Sequence, residues 1–209
     1  MSAVNELCLA IHQTLEALTA QESPRSVPFT DGLYFFFEKT EKSEHAPDGR
    51  IVRVGNHPRS RGGLVRRLRN HYASNKNSSV FRKSIGGALM RRDQRDHPCL
   101  AHWEKQDAPK CADCKPTERH VTAMLRSSFS FRVVAIPNMP ERNVMEALLI
   151  ATLSACPTCG PSKEWLGRFA RSEIVQRCGL WNSQFVGGPQ LDQEELARFT
   201  ELAEASHSD

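Results

Sequence analysis

The sequence has no apolar run long enough to cross a bilayer. Its longest, residues 145–153, is far too short and is interrupted by Glu146. Residues 1–6 lack the basic-then-apolar layout of a secretory signal, so a cytoplasmic protein is expected. A disulfide framework is not expected on the same grounds, and the odd count of seven cysteines agrees. There is no internal repeat and no low-complexity tract. At 39% hydrophobic and 25% charged residues the chain is neither fibrous nor disordered.

What is present is a charge asymmetry. The net charge of +4 hides a quarter of the chain, residues 51–100, in which twelve basic residues face only Asp93 and Asp96. Ten of the twelve are arginines, whose planar fork suits phosphate oxygens. Such segregation points to a polyanionic partner, and a solvated basic face is the bland alternative.

Periodicity predicts an amphipathic helix over residues 3–20, with Leu7, Ile11, Leu15 and Leu18 inward. An aromatic strand follows at 33–37, then a polar connection ending in Pro47-Asp48-Gly49 and a returning strand at 51–54. Two basic helices are expected at 64–72 and 78–92, the second loosened by Gly86-Gly87. Residues 93–116, rich in Cys, His and Pro, read as an insertion. A helix at 118–127, a third strand at 129–136, and helices at 141–154, 169–178 and 191–204 complete the pattern. The fold class is therefore α+β, a small three-stranded antiparallel sheet flanked by helices, with added N- and C-terminal helices. The corresponding division is an extension at 1–28, a central domain at 29–185 and a C-terminal helix and tail at 186–209.

Strand alternation puts Arg53 on the opposite face from Val52 and Val54, outward and beside Tyr34 if the valines face the core. Arg67 and His71, four residues apart, share a helix face and suit phosphate binding and proton transfer. Glu146 lies in an apolar stretch, where an unpaired carboxylate is costly; a metal ion would explain it, as would a salt bridge to Arg142 one turn earlier.

Taken in order, these residues resemble the GIY-YIG nuclease superfamily over roughly residues 30–185. Gly32-Leu33-Tyr34 resembles the first motif, and Arg53-Val54-Gly55 occupies the place of the second. Residues 64–72 are similar to the helix of the catalytic arginine, here Arg67. The Arg-x-x-x-His spacing is similar to that of restriction-enzyme members, and Asn77-Ser78-Ser79-Val80 to a segment of homing endonucleases. Glu146-Ala147-Leu148 is similar to the helix whose glutamate binds the divalent metal. Asn182, the only asparagine after Glu146, is the candidate for the family's late asparagine. The chain departs from the pattern at Arg53, which replaces the second motif's tyrosine; only Tyr34 and Tyr72 remain. A guanidinium cannot act as a base near neutral pH.

The resemblance implies phosphodiester hydrolysis in nucleic acid, DNA in the first instance, with Mg²⁺ or Mn²⁺ held by Glu146. Tyr34 would handle the attacking water, Arg67 and Arg53 the phosphate, and His71 a proton or a supporting hydrogen bond; Asn182 would brace the site. Arg59, Arg61, Arg82, Lys83, Arg91 and Arg92 would hold the flanking backbone. A non-catalytic nucleic-acid-binding module on the same fold is the alternative.

Two Cys-x-x-Cys knuckles, Cys111/Cys114 and Cys156/Cys159, have a spacing that suits tetrahedral zinc. They lie further apart than in one zinc ribbon; Cys99, His97 and His102 offer a local alternative for the first. Because the fuller zinc motif is absent, reduced surface thiols in an insertion are the favoured reading over structural Zn²⁺. A zinc-stapled protein-interaction domain, resting on the knuckles and the acidic C-terminal helix, is a third functional reading.

Overall fold

The computed structural model describes residues 2–57, 63–73, 75–105 and 111–206. In chain order the elements are α1 (Ala3–Glu16), β1 (Gly32–Glu38), β2 (Arg50–Gly55), α2 (Gly63–Tyr72), α3 (Val80–Asp93), α4 (Leu100–Glu104), α5 (Lys115–Ser127), β3 (Phe129–Ala135), α6 (Met139–Ala155), α7 (Glu173–Cys178) and α8 (Gln193–Ala205). The strands form one antiparallel sheet in the order β2-β1-β3. Among the described residues, no helix is long and apolar enough to cross a membrane.

The aromatic run of β1 is explained by its central position. Every residue of the strand is buried, because helices cover both faces of the sheet. Leu33, Phe35 and Phe37 pack with α1, α6 and α8 on one side. Tyr34 and Phe36 pack with α2, α3 and α5 on the other. A half-solvated antiparallel strand would alternate apolar and polar residues; a strand covered on both sides need not. The N- and C-terminal helices thus share a core with the sheet, and α1 lies against α8.

Caps set the helix boundaries. The Ser79 hydroxyl accepts from Arg82 N at the start of α3, and Asn138 does the same from Glu141 N at the start of α6. Asp192 and Glu195 form a capping box on α8.

Local sequence misleads at the end of α1, which stops at Glu16 rather than residue 20, within α3 and before α7. Helix α3 runs unbroken through Gly86-Gly87. Their lack of side chains lets Trp103 of α4 lie on the helix: a Cβ at Gly86 would stand 2.1 Å from the indole. Trp103 also donates from Nε1 to Lys83 O, pinning the insertion to α3. The helix expected at 169–178 is shortened to α7, because Ala170 is extended (ψ 154) after a 3-10 turn at Leu166–Phe169 that packs against α3.

Arg82 acts as a structural cation. Fully buried, it ion-pairs with Glu118 at 2.6 Å and donates to Thr122 Oγ1 and to the carbonyls of His71 and Glu118, joining α2, α3 and α5. Truncating one partner of such a pair leaves the other charge uncompensated. Arg82→Ala is expected to cost about 3 kcal/mol in urea denaturation; a loss below about 0.5 kcal/mol, the scale of an ordinary surface substitution, would contradict this role.

Candidate active site

Tyr34 has no solvent exposure, so its hydroxyl requires a partner within the protein. That partner is His71 of α2: the phenol oxygen lies 2.9 Å from Nε2, and Nδ1 lies 2.8 Å from Ser79 Oγ. Burial, reinforced by the guanidinium groups of Arg53, Arg67 and Arg82, pushes the His71 imidazole well below its ordinary range. The ring is therefore neutral, with one nitrogen donating and the other accepting.

Strand alternation fails in β2, and a β-bulge is the reason. Tyr34 pairs with Gly55, Phe35 with Val54 and Phe36 with Arg53, but Phe37 pairs with Ile51, so the register skips Val52. The extra residue turns Val52 toward the α2–α3 side of the sheet while Val54 stays on the α1–α6 side. Arg53 does not face outward. It is 8% exposed, its guanidinium lies 5.1 Å over the Phe81 ring, and it donates to Trp181 O at 2.8 Å.

The glycine after Val54 is dictated by space. A Cβ at Gly55 would lie 2.1 Å from Tyr34 Cζ and 2.2 Å from its hydroxyl. The Tyr34 ring rests on bare backbone there, which fixes where the phenol oxygen points.

Beyond the ring lies a cleft of about 290 Å³ lined by Tyr34, Arg53, Arg67, Glu146, Asn182 and, missed in the sequence, Asn56. The Nε atoms of Arg53 and Arg67 are buried without a hydrogen-bond partner, as is Trp181 Nε1 at the same cleft. The cleft is thus lined by two guanidinium side chains, a set that suits an anion. Glu146 does not pair with Arg142, which turns instead to Asn56 Oδ1, Ile136 O and Asp31. Burial pushes the Glu146 carboxyl upward, while hydrogen bonding from Asn56 and the charges of Arg53 and Arg67 draw it back. Asn182 grips the β2 edge: its amide accepts from Val54 N at 3.1 Å and donates to Val54 O at 2.9 Å. With Trp181 N donating to Val52 O, it adds a short backbone staple where the sheet would otherwise end.

A model of the GIY-YIG domain matches residues 5–208, almost the entire chain. The chain belongs to the GIY-YIG family. No characterised protein and no solved structure is significantly similar to it. Tyr34, Arg53, Arg67, Glu146 and Asn182, the residues picked out by the resemblance, thus line one cleft, with Arg67 on α2 and Glu146 on α6.

The cations expected to flank the site divide differently. Arg59 and Arg61 lie outside the described residues. Arg82 is buried and cannot reach a ligand at the surface. Lys83 and Arg91 line a second hollow with Glu104 and Arg171, and Arg91 is ion-paired to Glu104. Arg92 is exposed beside Asp93, 2.8 Å away. The two cysteine knuckles do not meet. Cys156 and Cys159 lie with Cys8 and His45, whereas Cys111 and Cys114 lie with Cys99, and four of the seven thiols are buried rather than on the surface.

Asn56 and Trp181 carried no sequence signal, since each makes its contacts across long chain separations. Asn56 bridges β2 to α6 through Asn143, Arg142 and Glu146.

Gly55→Ala is expected to drive the Tyr34 ring off β2 and lower stability by about 1–3 kcal/mol. Thermal unfolding and the ring ¹⁵N shifts of His71 check this; an unchanged Tm with unchanged shifts would contradict the close packing.

Proposed function

We propose that this GIY-YIG domain is a divalent-metal-dependent endonuclease that hydrolyses phosphodiester bonds in nucleic acid, with DNA as the favoured substrate. The observation that carries the reading is that Tyr34, Arg67 and Glu146 line one cleft, together with Arg53. A segregated arginine-rich stretch at 51–100 and the family's nuclease character support it.

The residues present fit a single Mg²⁺ or Mn²⁺. Among the described residues that line the cleft, Glu146 is the only carboxylate, and hard cations are commonly held by one or two carboxylates plus water and substrate phosphates. When bound, the ion would polarise a phosphate oxygen and stabilise the leaving oxygen.

The rest falls to the chain's own groups. Arg67 clamps the scissile phosphate and offsets the charge that develops as the phosphorus is attacked. Arg53, fixed by Phe81 and Trp181 O, offers its remaining N–H to a neighbouring phosphate oxygen. His71 is neutral; in the tautomer in which Nδ1–H donates to Ser79 Oγ, its Nε2 accepts from the Tyr34 hydroxyl. The Tyr34 oxygen then has lone pairs free to accept a hydrogen bond from the attacking water and so orient it. Asn56 orients the Glu146 carboxylate, and Asn182 holds the backbone carrying Arg53 and Gly55.

A second reading, a nucleic-acid-binding module without catalysis, is favoured by two observations. Arg53 stands in place of a water-activating tyrosine, and Tyr34 is sealed from bulk solvent. Nicking of supercoiled plasmid, branched DNA and RNA with Mg²⁺, Mn²⁺ or chelator separates the two. The first reading expects metal-dependent nicking that Glu146→Ala and Arg67→Ala each reduce by about 100-fold or more. Gel retardation that weakens steeply with salt, without cleavage under any metal, would favour the second.

A further inference from the structure

We infer that Cys8, His45, Cys156 and Cys159 bind a structural zinc ion on the side of the sheet away from the Tyr34 cleft. The four come from three distant parts of the chain: α1, the β1–β2 connection and the turn after α6. All are buried, at 0%, 7%, 4% and 6% exposure. Their ligand atoms all lie within 4.8 Å of one another.

The spacing decides between zinc and its alternatives. Zn–S bonds of about 2.3 Å and a Zn–N bond of about 2.0 Å place tetrahedral ligands about 3.8 Å apart for two sulfurs and about 3.5 Å apart for sulfur and nitrogen. Cys8 Sγ lies 3.6 Å from Cys159 Sγ, and His45 Nδ1 lies 3.7 Å from Cys156 Sγ and 3.5 Å from Cys159 Sγ. These match the edges of such a tetrahedron. A disulfide would need sulfurs about 2.05 Å apart, and thiols are poor hydrogen-bond partners for packing three into one buried pocket.

The surroundings suit thiolates. Ser43 Oγ stands 3.2 Å from Cys159 Sγ, placed to donate to a negative sulfur as outer groups do around metal ligands. The neighbouring His12 is committed elsewhere. Its Nδ1 bonds Cys8 O at 2.9 Å and its Nε2 accepts from Ile51 N at 3.2 Å, leaving His45 as the imidazole ligand. Three sulfurs and one nitrogen close the coordination shell. An ion held by four protein ligands and shut off from solvent has no open position for substrate, so its role is to tie the three segments together. Each thiol releases its proton on binding, so the ion is lost in acid.

Zinc content of the purified full chain and residue-mapped alkylation test this directly, independently of any nuclease activity. In a Cys99→Ser, Cys111→Ser, Cys114→Ser variant, which lacks the other thiol cluster, about one zinc per chain is expected to remain; adding Cys156→Ser and Cys159→Ser removes it. In the unmodified protein, a strong chelator is expected to raise alkylation of Cys8, Cys156 and Cys159 by about ten-fold or more. The inference is overturned if these thiols react equally with and without chelator, if Cys156 and Cys159 form a disulfide, or if the folded triple variant holds no zinc.

Discussion

A phenol shut inside a protein must have its hydroxyl satisfied by the protein, and in this chain that requirement organises the site. Tyr34 sits on a strand buried on both faces, and its hydroxyl finds His71, which in turn finds Ser79. Ser79 is also the cap of α3, so one hydroxyl fixes both the start of a helix and the orientation of an imidazole. Burial, helped by three surrounding guanidinium groups, keeps that imidazole neutral. The phenol is held from behind by His71 and from beside by the bare backbone of Gly55.

That arrangement ties the cleft to the core. Arg82 secures His71's helix to α3 and α5 from a fully buried position, so a residue that looks like surface charge in the sequence is a brace. Asn182 and Trp181 extend the β2 edge and carry the carbonyl that holds Arg53. The hollow they leave is lined by Arg53, Arg67 and Glu146, a mixture of charges that suits a phosphate and a cation bound together.

Much of this was legible in the sequence because it rests on order and local period. The aromatic run, the Arg67–His71 spacing and the misplaced carboxylate of Glu146 each stand out by a local rule, and their order along the chain resembled the GIY-YIG family before any geometry. What was not legible depends on contacts between distant residues. The bulge at Val52 turns that valine to the Tyr34 face, while Arg53 keeps the face opposite Val54 and is buried because α2 and α3 cover it. The arginines of α3 read alike, yet one is buried and others are paired with Glu104 and Asp93. The Cys156-x-x-Cys159 knuckle looked incomplete because its partners, Cys8 and His45, precede it by more than a hundred residues. Spacing rules see short-range motifs and miss ligands that only the tertiary fold assembles.

The central claim is that the Tyr34 hydroxyl takes part in the reaction rather than only filling the core. Tyr34→Phe removes that single oxygen and keeps the ring against Gly55. The account predicts that affinity for DNA, measured in chelator, stays within about two-fold while metal-dependent nicking falls by about 100-fold or more. Nicking at the unmodified rate, with the phenol oxygen gone and the fold intact, would contradict it.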